Sequence, residues 1–260
     1  MGLYIVIPAR FQSTRFPGKP LALIHGKSMI QRVHELASAV SSEKKVFVTT
    51  DDERIGEHVR GFGGEVLPTA ASCPNGTVRV YEALRGRVQP EDIVVNLQGD
   101  AVLTPPWILE DVLHAFVADP SVEMATPATR MTSTAYQLLL EAKRSGEVGG
   151  TTVVCDQRSD ALYFSKAVIP YIRTPCDPLP VLRHIGLYAY RYRTLERYVG
   201  LPETPLEQVE GLEQLRALEH GIRIRVVLVD YRGRTHASVD SPEDLKRVEL
   251  LLEKEGELIP

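Results

Sequence analysis

Between Ala9 and Lys19 the chain crowds Arg10, Ser13, Thr14, Arg15 and Lys19 into one short loop with a Pro17-Gly18 turn. Cations and hydroxyls at this density suit a polyphosphate, because guanidinium and ammonium groups neutralise phosphate oxygens while hydroxyls and backbone N–H groups donate to them. The same residues also make an ordinary solvated basic loop, and charge alone does not separate the two readings. The loop is neither a Walker pattern nor G-x-G-x-x-G, so kinase-like and dinucleotide-binding chemistry gains nothing from it. A second group is Asn96-Leu97-Gln98-Gly99-Asp100. Here a carboxylate follows an apolar run, with a glycine before it that permits close backbone approach. Such a carboxylate suits Mg2+, a hard cation that takes one or two carboxylates and completes its shell with substrate phosphates and water. Asp240 is the candidate second ligand, although a position just before Ser241-Pro242-Glu243-Asp244 equally fits a neighbour of a helix cap.

These groups need a scaffold, and hydrophobic patterning outlines one. Leu3-Tyr4-Ile5-Val6-Ile7-Pro8 is a short continuous apolar run rich in β-branched residues, the pattern of a strand buried on both faces of a parallel sheet. Met29, Ile30, Val33, Leu36, Ala37 and Val40 then recur at helical spacing. Residues 45–50 predict a strand, 52–62 a helix, 65–67 a short strand after Gly63-Gly64, and 92–97 a fourth strand. This alternation predicts an α/β fold with a mostly parallel sheet covered on both faces. Ligands of such sheets gather at the carboxyl ends of strands, where the loops 8–19 and 98–100 emerge.

From about residue 131 the alternation breaks, with strands suggested at 151–155, 161–164 and 185–190. We read a single domain over 1–260 carrying an inserted subdomain at about 131–200. Three prolines between Thr174 and Pro180 predict an exposed loop. Leu206, Val209, Leu212, Leu215 and Leu218 predict one helix, 222–229 a strand, and Ser241 caps a last helix whose buried face is Leu245, Val248 and Leu252.

Composition removes several function classes. Thirty Lys and Arg against 34 Asp and Glu leave a net charge of −4, which argues against a protein that wraps nucleic acid. Cys73, Cys155 and Cys176 are odd in number and widely spaced, fitting neither a disulfide framework nor a C-x-x-C site, so a reducing cytoplasm is the expected compartment. No apolar run approaches the eighteen or so residues of a membrane span, and the apolar start lacks the basic flank of a signal peptide.

Read together, the motifs carry more than any one of them. Ile7-Pro8-Ala9-Arg10 with Ser13-Thr14-Arg15-Phe16-Pro17-Gly18-Lys19-Pro20-Leu21, then Asn75-Gly76-Thr77, Gln98-Gly99-Asp100, Ala161-Leu162-Tyr163-Phe164-Ser165, Arg183-His184-Ile185-Gly186-Leu187-Tyr188, Leu212-Glu213-Gln214-Leu215-Arg216 and Val239-Asp240-Ser241-Pro242-Glu243-Asp244-Leu245 follow one another in order. The set resembles the 3-deoxy-manno-octulosonate (KDO) cytidylyltransferases, also called CMP-KDO synthetases, over nearly the whole chain. The resemblance implies a Rossmann-like nucleotide-diphospho-sugar transferase fold with a smaller dimerisation subdomain, a homodimer, and Mg2+-dependent transfer of CMP from CTP to a sugar acid. It implies that Arg10, Ser13, Arg15 and Lys19 hold the CTP phosphates, with Ala9, Thr77 and Arg79 also binding the nucleotide. It further implies that Asp100 and Asp240 hold the metal, with Lys19 as a catalytic partner. Gln98, Lys166, His184, Tyr188, Glu213, Gln214 and Asp240 would face the acid; taken singly, His184 and Tyr188 equally suit an apolar core.

Three departures from the family pattern bear on the acceptor. Val78 replaces an acidic residue between Thr77 and Arg79, Ala101-Val102 replaces Glu-Pro, and Lys166 replaces an Arg, exchanging a bidentate fork for a point charge. A modified ulosonate or a phosphonate is therefore an alternative acceptor, and a nucleotide-binding module without turnover is the alternative from another class.

Overall fold

A computed structural model describes residues 1–12, 16–147, 149–174 and 176–259. The chain runs through β1 (Leu3–Pro8), a 3-10 turn (Lys19–Leu21), β2 (Leu23–Ile24), β3 (Lys27–Ser28), α1 (Met29–Ser38), β4 (Lys45–Thr50), α2 (Glu53–Gly61), β5 (Glu65–Pro68), α3 (Gly76–Leu84), β6 (Ile93–Asn96) and α4 (Pro106–Ala118). It continues through β7 (Met124–Arg130), α5 (Ser133–Arg144), β8 (Thr152–Cys155), β9 (Ala161–Ser165), β10 (Leu182–His184), β11 (Tyr188–Arg191), α6 (Tyr192–Val199), α7 (Pro205–Glu210), α8 (Gln214–Glu219), β12 (Arg225–Leu228) and α9 (Pro242–Glu255). These elements form two compact units: one of Met1–Asp111, Ala189–Val199 and Tyr231 onward, the other of Val112–Tyr188 and Gly200–Asp230.

In the first unit the strands run in the order β5-β4-β1-β6-β11. β1 is parallel to both β4 and β6, in a register that sets Ile5 beside Val46 and Val95, and β4 is parallel to β5. Ile5, Val6, Ile7, Val48, Val94 and Val95 are buried, which is why these strands read as unbroken apolar runs. α1 buries Met29, Ile30, Val33, Leu36 and Ala37, and Ser28 caps it by accepting from the Gln31 N–H. Each such side chain contributes about 1.5–3 kcal/mol relative to exposure. That packing fixes the carboxyl ends of β1 and β6, and with them the loops that carry the site.

The second unit pairs differently. β7 is parallel to β12 but antiparallel to β10, and β10, β8 and β9 continue antiparallel. The expected α/β fold with a largely parallel sheet is present, and two local expectations need correction. The strand expected at 185–190 begins only at Tyr188, as β11, because residues 185–187 form a turn after β10 in which the Leu187 N–H reaches back to the Ile185 carbonyl at 2.7 Å. The single helix expected from Leu206 to Leu218 is two, because Gly211 takes φ 61° and ends α7 in the left-handed region. The corner between α7 and α8 is tied by a buried bidentate ion pair, Arg216 Nε to Glu207 Oε2 at 2.7 Å and Nη2 to Oε1 at 2.5 Å.

Candidate active site

The first unit builds its site from the ends of β1, β6 and the segment before α9. A cavity of about 430 Å³ is lined by Pro8, Ala9, Arg10, Gln12, Lys19, Asn75, Gly76, Gln98, Gly99, Asp100 and Asp240. Ala9 extends the ladder by donating to the Thr49 carbonyl, and Gly18, at φ 71°, folds the loop back so that its N–H reaches the Phe11 carbonyl. The Arg54 guanidinium stacks 3.4 Å from the centre of the Phe11 ring. Gly99 has a reason of its own: a Cβ there would meet the Pro8 carbonyl oxygen at 3.0 Å. A side chain there would need the end of β1 to give way by a few tenths of an ångström.

Lys19 is the junction. Its Nζ donates to Asp100 Oδ2 at 2.6 Å, to the Val239 carbonyl at 2.8 Å and to Asp240 Oδ1 at 3.4 Å, gathering residues far apart in sequence. The helix cap that competed for Asp240 is made by others. Ser241 and Asp244 form a capping box, and the Asp244 carboxylate also accepts from the Asp240 N–H at 3.0 Å, leaving the Asp240 side chain on Lys19. Burial raises the Asp244 carboxyl, and the hydrogen bonds from Asp240 and Ser241 outweigh it, so it lies below its usual range.

Two carboxylates meet at one ammonium, each partly open to solvent, at 25% and 43% side-chain exposure. These oxygen donors fit a hard divalent cation whose remaining ligands are phosphate oxygens and water. Among the described residues no group of three or more His, Cys, Asp and Glu is arranged as a metal site.

Arg10 donates to the Cys73 carbonyl at 2.6 Å. Burial, with the Arg79 charge added, lowers its guanidinium below the ordinary value. Thr77 and Arg79 stand behind the cavity wall, both buried. Arg79 pairs with Asp51 at 2.8 Å and donates to Thr69 Oγ1 at 2.7 Å. Asp51, Asn75, Gly76 and Gln12 carry no site role in the sequence reading; the Asn-Gly pair at the start of α3 was the available signal, since Asn75 caps that helix through the Val78 N–H. Ser13 and Arg15 lie outside the described residues.

In the second unit, His184 is buried and its Nε2 lies 2.8 Å from Thr126 Oγ1. The same hydroxyl lies 2.8 Å from the Leu187 carbonyl and 3.2 Å from the Ile185 carbonyl, so Thr126 ties the imidazole to the turn that follows β10. Phe164 meets the imidazole edge-on at 5.0 Å and Tyr188 tilts against it at 5.5 Å, the surroundings of a core histidine. Gln214 begins α8 with its side chain buried, and its Nε2 has no acceptor among the described residues, which costs about 1–3 kcal/mol until an acceptor arrives. Glu213 is the residue before that helix. Lys166 donates its backbone N–H to Glu210 and lines a 560 Å³ pocket with Lys143, Arg144 and Glu147. Burial, then the charges of Lys166 and Arg183, lower the Lys143 ammonium from its usual value.

A phosphate-suited loop and a paired carboxylate at the carboxyl edge of a parallel sheet define a nucleotide-handling α/β protein. The cytidylyltransferase family pattern matches residues 4–224. A protein of Maricaulis maris (strain MCS10) named 3-deoxy-manno-octulosonate cytidylyltransferase is 51% identical over 259 residues, covering 100% of both chains. One of Shewanella sp. (strain ANA-3) named 8-amino-3,8-dideoxy-manno-octulosonate cytidylyltransferase is 41% identical over 251 residues, 96% of this chain and 98% of the other. The solved structure of CMP:2-keto-3-deoxy-manno-octonic acid synthetase complexed with CTP superposes with a TM-score of 0.86 at 39% identity, covering 98% of this chain and 100% of that one. This chain belongs to the cytidylyltransferase family.

Proposed function

We propose that the chain is a CTP:sugar-acid cytidylyltransferase that joins CMP to 3-deoxy-manno-octulosonate. A hydroxyl oxygen of the acid attacks the α-phosphorus of CTP, the bond to the bridging oxygen breaks, and pyrophosphate leaves with the electron pair. The observation that carries this reading is Lys19 bridging Asp100 and Asp240 at the edge of the loop cavity. Arg10 and Lys19 supply preorganised positive charge to the triphosphate, the kind of contact whose loss costs a nucleotidyl transfer several kcal/mol. Ser13 and Arg15 join them on the strength of the resemblance. Mg2+, when held by Asp100 and Asp240, would neutralise charge on the phosphates and the departing pyrophosphate. Because the chemistry needs in-line alignment more than covalent help, these residues act by positioning and charge.

Within the second unit, Lys166, His184, Tyr188, Glu213 and Gln214 are the residues the resemblance assigns to the acid; within the first, Gln98 lines the loop cavity. Support comes from the orphan Gln214 Nε2 and the cationic pocket around Lys166. That pocket also contains Glu147, and a carboxylate among cations favours a second reading in which the acid carries an amino group. Homodimeric assembly and a cytoplasmic setting follow the resemblance, and sedimentation of the purified chain tests the former. The deciding experiment is pyrophosphate release with CTP and Mg2+ across KDO, its 8-amino analogue and a phosphonate. Turnover with KDO ahead of the others supports the main reading, preference for the amino sugar supports the second, and no CTP-dependent release with any acid would leave a binding module.

A further inference from the structure

Asn96, the last residue of β6, is fully buried and has both ends of its amide engaged. Nδ2 donates to the Thr77 hydroxyl at 3.1 Å, and Oδ1 accepts from Gln98 Nε2 at 3.1 Å. Gln98 lines the cavity with Gly76, and the two amides and the hydroxyl form one polar chain. A carboxamide has unlike ends, so whichever end Asn96 takes decides which end Gln98 offers. We propose that Asn96 is a positioning residue: it holds Gln98 by its nitrogen, so that the Gln98 carbonyl is the acceptor offered to substrate and this point of the cavity selects a hydroxyl or amino donor. The opposite orientation would set Gln98 Oε1 against Asn96 Oδ1, two acceptors facing each other in a buried site, unless Asn96 turned over as well.

That coupled turnover makes the idea testable, since an aspartate at 96 can only accept when ionised. Asn96→Asp locks Gln98 in the proposed orientation, with Thr77 donating instead of accepting, whereas Asn96→Leu keeps the volume and removes the hold. This rests on the proposed reaction for its assay. Steady-state kinetics with CTP and KDO varied in turn, alongside thermal melting, would read it. Asn96→Leu should raise the KM of the donor-bearing substrate about tenfold with a smaller change in kcat, as loss of a uniform binding contact does. A rise confined to CTP assigns the donor to the nucleotide, and one confined to KDO assigns it to the acid. Asn96→Asp should be less impaired than Asn96→Leu above the pH at which the buried carboxyl ionises and lose that advantage below it, because only the carboxylate is confined to accepting from Gln98. Thr77→Val, which frees Asn96 to turn over, should give an intermediate rise on the same substrate and decides the matter if Asn96→Leu does not fold. Unchanged KM values in Asn96→Leu, or in Thr77→Val where it stands in, overturn the proposal, as does an aspartate variant as impaired as the leucine variant at every pH. A wild type inactive with KDO would instead sink the proposed function.

Discussion

Lys19 touches three groups at once, and the consequences of removing each partner differ. Lys19→Ala deletes one preorganised charge, and kcat/KM for CTP should fall by about 10²–10³, the usual cost of losing one such donor to the transition state. Asp100→Ala and Asp240→Ala should each abolish turnover at ordinary Mg2+ while the melting temperature stays near that of the wild type, because both carboxylates are partly exposed and outside the apolar core. A Mg2+ titration separates the cases: the aspartate variants should need more metal, whereas Lys19→Ala should be deficient at every concentration. Either aspartate variant working normally at low Mg2+ would remove that residue from the metal site. Lys166 lines a pocket with Lys143, the pocket proposed for the acid. Lys166→Ala should raise the KM for the acid by about tenfold or more and leave that for CTP alone, since a charge-assisted bond is worth about 1.5–3 kcal/mol. An equal rise for both substrates would place Lys166 elsewhere in the mechanism.

The elements were legible where burial left a clean pattern and obscure where a local device overrode it. β1, β4 and β6 stand where unbroken apolar runs put them, and the box at Ser241 opens α9 as its residues suggest. β7 gave no signal: Met124–Arg130 is rich in Ala and Thr and carries Pro127 mid-strand. The leucine spacing from 206 to 218 continues across Gly211, so periodicity joined two helices that a left-handed residue separates. Likewise Lys19 and Asp100 were visible as motif residues, but their meeting with Asp240 depends on strand order, and the pairing of Asp51 with Arg79 and the role of buried Asn96 depend on partners that spacing does not reveal. Gly99 shows how an element boundary controls the site. Gly99→Ala drives a Cβ against the Pro8 carbonyl, and backbone cannot yield as a flexible side chain does. We expect destabilisation of about 1–3 kcal/mol, typical of overpacking, with a raised KM for CTP because Asp100 is the next residue. Denaturant titration and CTP kinetics on one preparation check both, and an alanine variant with wild-type stability would show that the two loops part easily.

For the molecule as a whole, titration sets the limits of stability at both ends of the pH scale. Hydrogen bonds from Ser121, then from Arg225, hold the Asp119 carboxyl down at about 2, and bonds from the Asp160 and Arg158 backbone lower Asp156. A carboxyl depressed on folding binds fewer protons in the native state than in the unfolded one, so its contribution is complete above the unfolded value near 4 and disappears as pH falls toward 2. The alkaline side has the opposite sense. Burial, with Asp156 and Asp160 adding to it, pushes the Cys155 thiol up to about 11. Burial, then the neighbouring Tyr81 and Glu196, pushes the Tyr192 phenol up to about 12, and the Tyr192 ring stacks on Tyr81 at 5.9 Å. These acids stay protonated in the native state at pH values where the unfolded chain has released them, so their contribution is present below the unfolded values of about 8.5 and 10 and is lost as pH climbs toward 11 and 12. Burial lowers the His34 imidazole, so the unfolded chain holds a proton that the native state releases, and this group favours folding more as pH rises through about 6.5. The melting temperature should therefore be highest at about pH 7 to 8 and fall on either side. Calorimetric melting in steps of pH would trace the profile, and two variants divide it: Asp119→Asn should flatten part of the acid limb only, and Tyr192→Phe part of the alkaline limb only. A Tyr192→Phe profile that still falls above pH 9 as steeply as the wild type would show that the phenol is as exposed in the folded chain as in the unfolded one.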